Sequence, residues 1–349
     1  MSARRVNVFL PTLVPTDAVS DQARAHTSLL REWGLDARLV AERTHPDCRG
    51  QAITLSRALR DRAGAAWLVH YGIWSDGLLD VLATQGRPKV FTYHNITPAE
   101  MLPPGPVADL CRRGRDGLVG LATAHWDLVT TVSRYNAEEL RAAGFGDVEV
   151  VPLLLPHGEP PRQVTRDDSV LFVGRLAPNK GLDDLMKAVA LLRLRHRPGA
   201  RLDIVGSRAG WEGYAAGLDR LAQRLGDGIT FHGSVSNAER DRLYARAGVV
   251  CLLSRHEGFC APLVEAMRAG APVVARDAGA VGETLGGGGV LLPDGDPALA
   301  AEALERVLAD AALRARLREG ARATLAALEP AVVARRLEET VGRALGVRR

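Results

Sequence analysis

Short apolar runs recur along the chain, each closed by glycine, proline or a cluster of polar residues. In the first half they are residues 6–10 (VNVFL), 66–71 (AWLVHY), 89–95 (KVFTYHN), 129–136 (VTTVSRYN) and 148–152 (VEVVP). In the second half they are residues 170–174 (VLFVG), 202–206 (LDIVG), 229–233 (ITFHG), 249–253 (VVCLL) and 272–275 (PVVA). Runs of this length with such boundaries read as buried strands, and the stretches between them suit helices, as in residues 22–33 before Gly34. Strand and helix alternate in both halves, which predicts two doubly wound α/β sheets, the second with five strands. Residues 156–168, rich in proline and charge, read as a linker. The expected domains are therefore 1–160 and 161–330, followed by a helical, Ala- and Arg-rich tail over 331–349. A chain of 349 residues accommodates two cores of roughly 150–200 residues each, with a cleft between them.

Residues 254–267 (SRHEGFCAPLVEAM) concentrate the chemistry. The apolar run before them is a strand, Gly258 marks a loop, and Pro262 suits the first helical position, where a missing N–H costs nothing. Glu257 then precedes the helix and Glu265 lies about one turn inside it. The free amides and positive dipole end of such a helix attract an anion, so a diphosphate fits between two carboxylates able to accept hydroxyl hydrogen bonds. That combination suits a sugar nucleotide. In the first half His70 and His94, with Asn95 next to it, end two strands at the edge where parallel sheets gather ligand-facing groups. Asp17, in the loop after the first strand, is either a sugar or acceptor contact or the anchor of an Asx turn.

Composition narrows the class. Hydrophobic residues make up 46% and charged residues 25%, ordinary for a globular protein, and no apolar run approaches the roughly 18 residues of a membrane helix. The chain runs from Met1 into its first strand without the apolar segment of a secretory leader, so a cytoplasmic location is expected. Cys48, Cys111, Cys251 and Cys260 have no zinc or redox spacing. Lys and Arg number 17 against 18 Asp and Glu in residues 1–160, and 28 against 23 in residues 161–349. The basic excess is scattered and aromatics are few, which argues against nucleic acid and for an anionic small molecule bound by the second half. The loop after the first strand lacks the G-x-G-x-x-G of a dinucleotide site. Asp294-Gly295-Asp296 spells a metal-binding pattern but sits between Pro293 and Pro297 as a tight turn, and residues 286–289 (GGGG) read as a flexible connector, so no metal is expected.

Residues 254–267, together with 173–181 (VGRLAPNKG) and 270–286 (GAPVVARDAGAVGETLG), resemble the retaining GT-B glycosyltransferases of family four, whose phrase is HEGF-x-x-P-L-x-E-A-M. The likeness is strongest over the C-terminal half. It implies two Rossmann-like domains facing a central cleft, with a tail able to cross back onto the first. The implied reaction moves a hexosyl group from a UDP- or GDP-sugar to an acceptor hydroxyl, with retention and without a metal or other cofactor. Arg175 and Lys180 match the pair that binds the diphosphate. Glu257, Gly258 and the backbone of Phe259 and Cys260 would address the hexosyl hydroxyls, Leu263 and Val264 the diphosphate, and Glu265 the ribose. His94 falls in a phrase resembling the one whose histidine lies near the reacting sugar carbon, which makes His94, Arg175, Lys180 and Glu257 the expected catalytic set. Cys260 stands where many relatives have Gly, Gly282 where the phrase usually has Pro, and Thr16, Asp17 and Ser20 replace a Gly-rich loop. The acceptor is expected to be a small polar molecule or glycan, with peripheral membrane contact not favoured. The rival readings are a GT-B sugar-nucleotide epimerase, a phosphorylase, or a non-catalytic sugar-nucleotide-binding protein.

Overall fold

The structure is a computed structural model that describes residues 4–15, 17–60, 64–156 and 165–347; Thr16 and residues 157–164 of the expected linker lie outside it. The chain divides into two compact units, one formed by Met1–Pro156 with Glu329–Arg349, the other by His157–Leu328. No described helix is long and apolar enough to cross a membrane.

In the first unit the strands are β1 (Arg5–Leu13), β2 (Asp36–Thr44), β3 (Ile53–Thr54), β4 (Ala66–Tyr71), β5 (Lys89–Tyr93), β6 (Leu128–Thr131) and β7 (Glu149–Val150). They form one parallel sheet in the order β3-β2-β1-β4-β5-β6-β7. The order reverses between β1 and β4, so the carboxyl ends of these two strands flank the crevice where such sheets bind ligands. The nine-residue strand β2 was not expected from the pattern. Its buried residues are Ala37 and the short run Leu39-Val40-Ala41, flanked by Asp36, Arg38 and the exposed Glu42 and Arg43, so the apolar run is shorter than those of its neighbours. Residues 133–136 are not strand: the Ser133 hydroxyl accepts a hydrogen bond from the Asn136 amide and caps the helix Arg134–Ala142.

The second unit has β8 (Ser169–Val173), β9 (Arg201–Val205), β10 (Ile229–Gly233), β11 (Val249–Leu252), β12 (Val273–Arg276) and β13 (Gly289–Leu292) in the parallel order β10-β9-β8-β11-β12-β13. Six strands replace the expected five. The glycine run is no connector to its end, because Gly289 already pairs with Val273 and Val290, Leu291 and Leu292 continue the ladder along β12. Here the order reverses between β8 and β11.

The last segment belongs to the first unit. A helix over Pro330–Leu337 continues into a wide π turn over Glu338–Gly342, and Val333, Leu337, Val341 and Leu345 enter the core formed by Val6, Val8, Leu10, Leu30, Leu68 and Val90. A strict four-residue spacing drifts around a helix of 3.6 residues per turn, and the wide turn absorbs the excess so that all four side chains stay on one face. Arg4 Nη1 also donates to the Leu345 carbonyl at 3.2 Å. Leu337→Ala should lower the unfolding free energy of the first unit by about 2–5 kcal/mol, the usual range for a buried leucine truncation. An unchanged denaturation midpoint would show that this segment does not contribute to the core.

Candidate active site

The loop after β8 and the loop after β11 emerge at the reversal point of the second sheet and are fastened to each other. Gly181 adopts φ 63°, and a Cβ there would lie 2.2 Å from the Leu253 carbonyl oxygen, so only glycine lets the loop lie this close to the end of β11. The Arg255 amide donates to the Asn179 carbonyl at 2.8 Å. Lys180 Nζ donates to Glu257 Oε1 at 2.7 Å, with side chains 19% and 11% exposed. Burial alone would raise the Glu257 pKa, but the charge and hydrogen bond of Lys180, followed by Ser254 and His256, outweigh it and hold the carboxyl below its ordinary value. On the other side, the Glu257 carbonyl accepts from the Ala280 amide at 2.9 Å, and Gly279 passes so near that a Cβ would meet the same carbonyl oxygen at 2.3 Å. Arg175 shares the first loop with Lys180, is exposed, and makes no ion pair or side-chain hydrogen bond among the described residues.

The helix in residues 254–267 spans Ala261–Arg268, which puts Pro262 at its second position rather than its first. Cys260 caps it with φ 71°, a left-handed conformation unusual for a residue with a Cβ. This start corrects the amide assignment. The Leu263 N–H is taken by the Cys260 carbonyl at 3.0 Å, so it is not open to a ligand. The amides of Phe259, Cys260 and Ala261 are the ones without a partner among the described residues, and a left-handed residue followed by a right-handed one turns successive N–H groups toward a common point. The Gly258 backbone lies in the same loop between Glu257 and this turn. Burial, and then the Glu257 charge, push the Cys260 thiol pKa up, so it is no thiolate nucleophile.

Glu265 is held from the neighbouring helix Asn237–Arg246. Tyr244 donates its hydroxyl to Oε2 at 2.8 Å and Arg240 Nη1 stands 3.4 Å from Oε1. Burial first, then Glu265, raise the Tyr244 pKa, so the phenol stays a donor. Sequence reasoning missed both partners. Their four-residue spacing puts them on one helix face, but nothing local says which face meets Glu265. Asp294 and Asp296 are occupied by local structure: Asp294 accepts from the Asp296 amide, and Asp296 accepts from Ala298 to cap the helix Pro297–Ala309.

In the first unit the Asp17 carboxylate accepts from the Ser20 amide at 3.0 Å through Oδ2 and caps the helix Ala18–Glu32, as the turn reading has it. His70 is 0% exposed and cannot touch a sugar or acceptor. Its Nδ1 lies 2.7 Å from Nε2 of the half-buried His94, and a third histidine, His26, places its ring centre 5.0 Å from that of His70. His26 was not anticipated; its helix was read but not which side faces the sheet. The expected ligand contact by Asn95 is also corrected. The residue is buried at φ 73°, and its amide nitrogen donates to Asn136 and Glu139 at 2.8 and 3.1 Å, within a network completed by Tyr93 and Arg115.

Comparison with known proteins follows the same division. Residues 159–324 match the family model described as Glycosyl transferases group 1. The chain is 32% identical over 288 residues to a D-inositol 3-phosphate glycosyltransferase of Jonesia denitrificans, covering 73% of this chain and 66% of that one. It is 30% identical over 287 residues to the enzyme of the same name from Xylanimonas cellulosilytica, covering 73% and 67%. It spans 54% of another from Segniliparus rotundus, so it corresponds to only part of these relatives' length. Among solved structures, Anabaena Alr3699/HepE in complex with UDP and glucose superposes with a TM-score of 0.79 at 19% identity, over 97% of this chain and all of that one, a likeness of fold.

Burial depresses the imidazole pKa values of the first unit, to about 4 in His26, about 3 in His94 and well below the usual value in His70. Below pH ~6.5 the unfolded chain binds protons at these rings while the folded chain does not, so stability is full above that pH and falls as pH drops toward the folded values. His26, 6% exposed, should contribute about 1.4 kcal/mol of lost stability per pH unit between roughly 6 and 4. His26→Leu should flatten the dependence of the denaturation midpoint on pH in that window by about one proton. Identical slopes for the variant and the parent protein would mean that His26 is not held neutral.

Proposed function

Because the chain belongs to the group 1 glycosyl transferases and has their two-sheet GT-B fold, we propose that it transfers a sugar from a nucleoside-diphosphate sugar to an acceptor hydroxyl, with retention and without an obligatory metal. One observation carries this reading. The reversal point of the second sheet presents an arginine without a partner among the described residues, a lysine–glutamate pair and, among the same residues, a set of open amides at one helix start. A departing diphosphate needs fixed positive groups as its charge grows, and Arg175, Lys180 and the amides of Phe259 to Ala261 supply them without a metal ion. Glu257, kept ionised by Lys180, accepts hydrogen bonds from hexosyl hydroxyls. Glu265, kept in place by Tyr244 and Arg240, accepts those of the ribose. His94 bonds a hydroxyl of the transferred sugar, since retention leaves no task for a base on the opposite face.

The donor assayed first is UDP-glucose, because a protein of the same fold was solved with UDP and glucose, and GDP-sugars follow. The acceptor panel includes inositol phosphates, because the relatives are named for D-inositol 3-phosphate, along with inositol and simple sugars. Acceptor-dependent release of nucleoside diphosphate should persist in EDTA. Complete, reversible loss on chelation would refute the metal-free mechanism, and orthophosphate-dependent sugar release would identify a phosphorylase. Glu265→Ala should weaken binding of the nucleoside diphosphate by at least about tenfold in calorimetry, since two charge-assisted bonds of about 1.5–3 kcal/mol each are lost. Unchanged affinity would remove Glu265 from the ribose.

A further inference from the structure

The hydrogen bond between His70 and His94 contains one proton, and its position decides what His94 can offer a ligand. Nδ1 of His70 and Nε2 of His94 are 2.7 Å apart and the ring planes differ by 16°. A ring-centre separation of 5.0 Å is what two imidazoles meeting edge to edge across that contact require, so N–H and lone pair meet in the ring planes rather than through stacked faces. The His94 backbone amide donates to the Tyr71 carbonyl at 2.8 Å, which fixes its backbone on the same side. Burial disfavours a charge on either ring, so each is neutral and carries a single proton.

Two arrangements are then open. If His94 donates from Nε2, the proton of His70 must sit on its own Nε2, which is fully buried and has no partner among the described residues. That leaves an orphaned N–H, the rarer and costlier of the unsatisfied buried groups. If His70 donates from Nδ1, its buried Nε2 holds only a lone pair, and the proton of His94 moves to Nδ1, the ring nitrogen for which no partner occurs among the described residues.

We propose that His70 is a positioning residue that donates to His94 and thereby fixes it as the Nδ1-protonated tautomer, presenting a hydrogen-bond donor and not a base. This rests on the reading of His94 as a sugar-hydroxyl contact. The donor fits a hydroxyl oxygen of the bound sugar, and the opposite tautomer would present a lone pair that accepts a proton instead. The geometry thus gives a fully buried side chain a role in transfer that its burial alone would hide.

The test is 15N NMR of the protein labelled at its nine histidines, with the His94 signals assigned by their loss in His94→Asn. At neutral pH the protonated nitrogen of His94 should be Nδ1, and finding the proton on Nε2 overturns the proposal whether or not glycosyl transfer is detected. His70→Leu should release the tautomer and lower kcat by about tenfold or more, the worth of a positioned group, with KM for the donor within about twofold of the parent value. His70→Asn, whose side-chain amide places an N–H near the position of Nδ1, should recover both the Nδ1 signal and turnover relative to His70→Leu. Equal tautomer populations in the Asn and Leu variants would also overturn it. Absence of any transfer by the parent protein, with the Nδ1 signal intact, would remove the glycosyl-transfer reading and leave the tautomer assignment standing.

Discussion

The second sheet reverses its strand order between β8 and β11, and the candidate donor site depends on keeping the two loops that leave these strands in contact. Close packing at Gly181 and the Arg255–Asn179 backbone bond do this without charge. Lys180 and Glu257 do it with charge, at the cost of taking both groups largely out of water. The lysine helps set the state of the carboxylate. Without the lysine, burial would favour the protonated carboxyl, and a sugar hydroxyl would meet a group that has lost much of its accepting power. The loop after β12 adds a third wall through Ala280, so the carbonyl and carboxylate of Glu257 are fixed from opposite sides.

Much of this was legible because it is local. Buried parallel strands leave uninterrupted apolar runs, and ten of the thirteen described strands, β1 and β4 to β12, were readable in that way, although the run at β6 extended into a helix and β7 was read longer than it is. The order Glu257, Pro262, Glu265 likewise encodes a loop, a helix start and a first-turn carboxylate. What escaped is set by partners distant in sequence. Strand β2 hides in a segment whose three-residue apolar run is framed by charges and whose neighbour is β1. Gly289 looks like a linker until β12 pairs with it. The one-residue shift of the helix start follows from Cys260 adopting a left-handed conformation, which no propensity for cysteine predicts. Arg240, Tyr244 and His26 were invisible for the same reason. A helical pattern tells which residues share a face, and tertiary packing tells what the face meets.

The resemblance to family four supplied roles that residue patterns alone left open, and the local geometry redistributed some of them. Asp17 commits one carboxylate oxygen to a cap and Asn95 its amide nitrogen to a buried network, so the first unit offers fewer ligand contacts than its loops suggested. The amide ascribed to Leu263 is taken within the turn, and those of Phe259, Cys260 and Ala261 are open among the described residues, which preserves the chemistry while changing the atoms. A conserved type of function can survive such shifts because an anion responds to the direction and number of N–H groups, not to the side chains that carry them.

The two units solve opposite electrostatic problems. The proposed diphosphate would bring charge, and the second unit has Arg175 exposed and unpaired among the described residues and Lys180 against a buried carboxylate. The sugar hydroxyl proposed to meet His94 would bring none, and a charged imidazole beside it would have to be solvated before the sugar arrived. In the first unit burial removes that charge from His26, His70 and His94 together, and each neutral ring then has one proton to place. With no net charge available, direction becomes the remaining variable, and a 2.7 Å in-plane contact to a fully buried neighbour is a means of setting it. The burial that makes His70 look structural is therefore what qualifies it to act on His94: an exposed ring would exchange its proton with water and impose no tautomer at all.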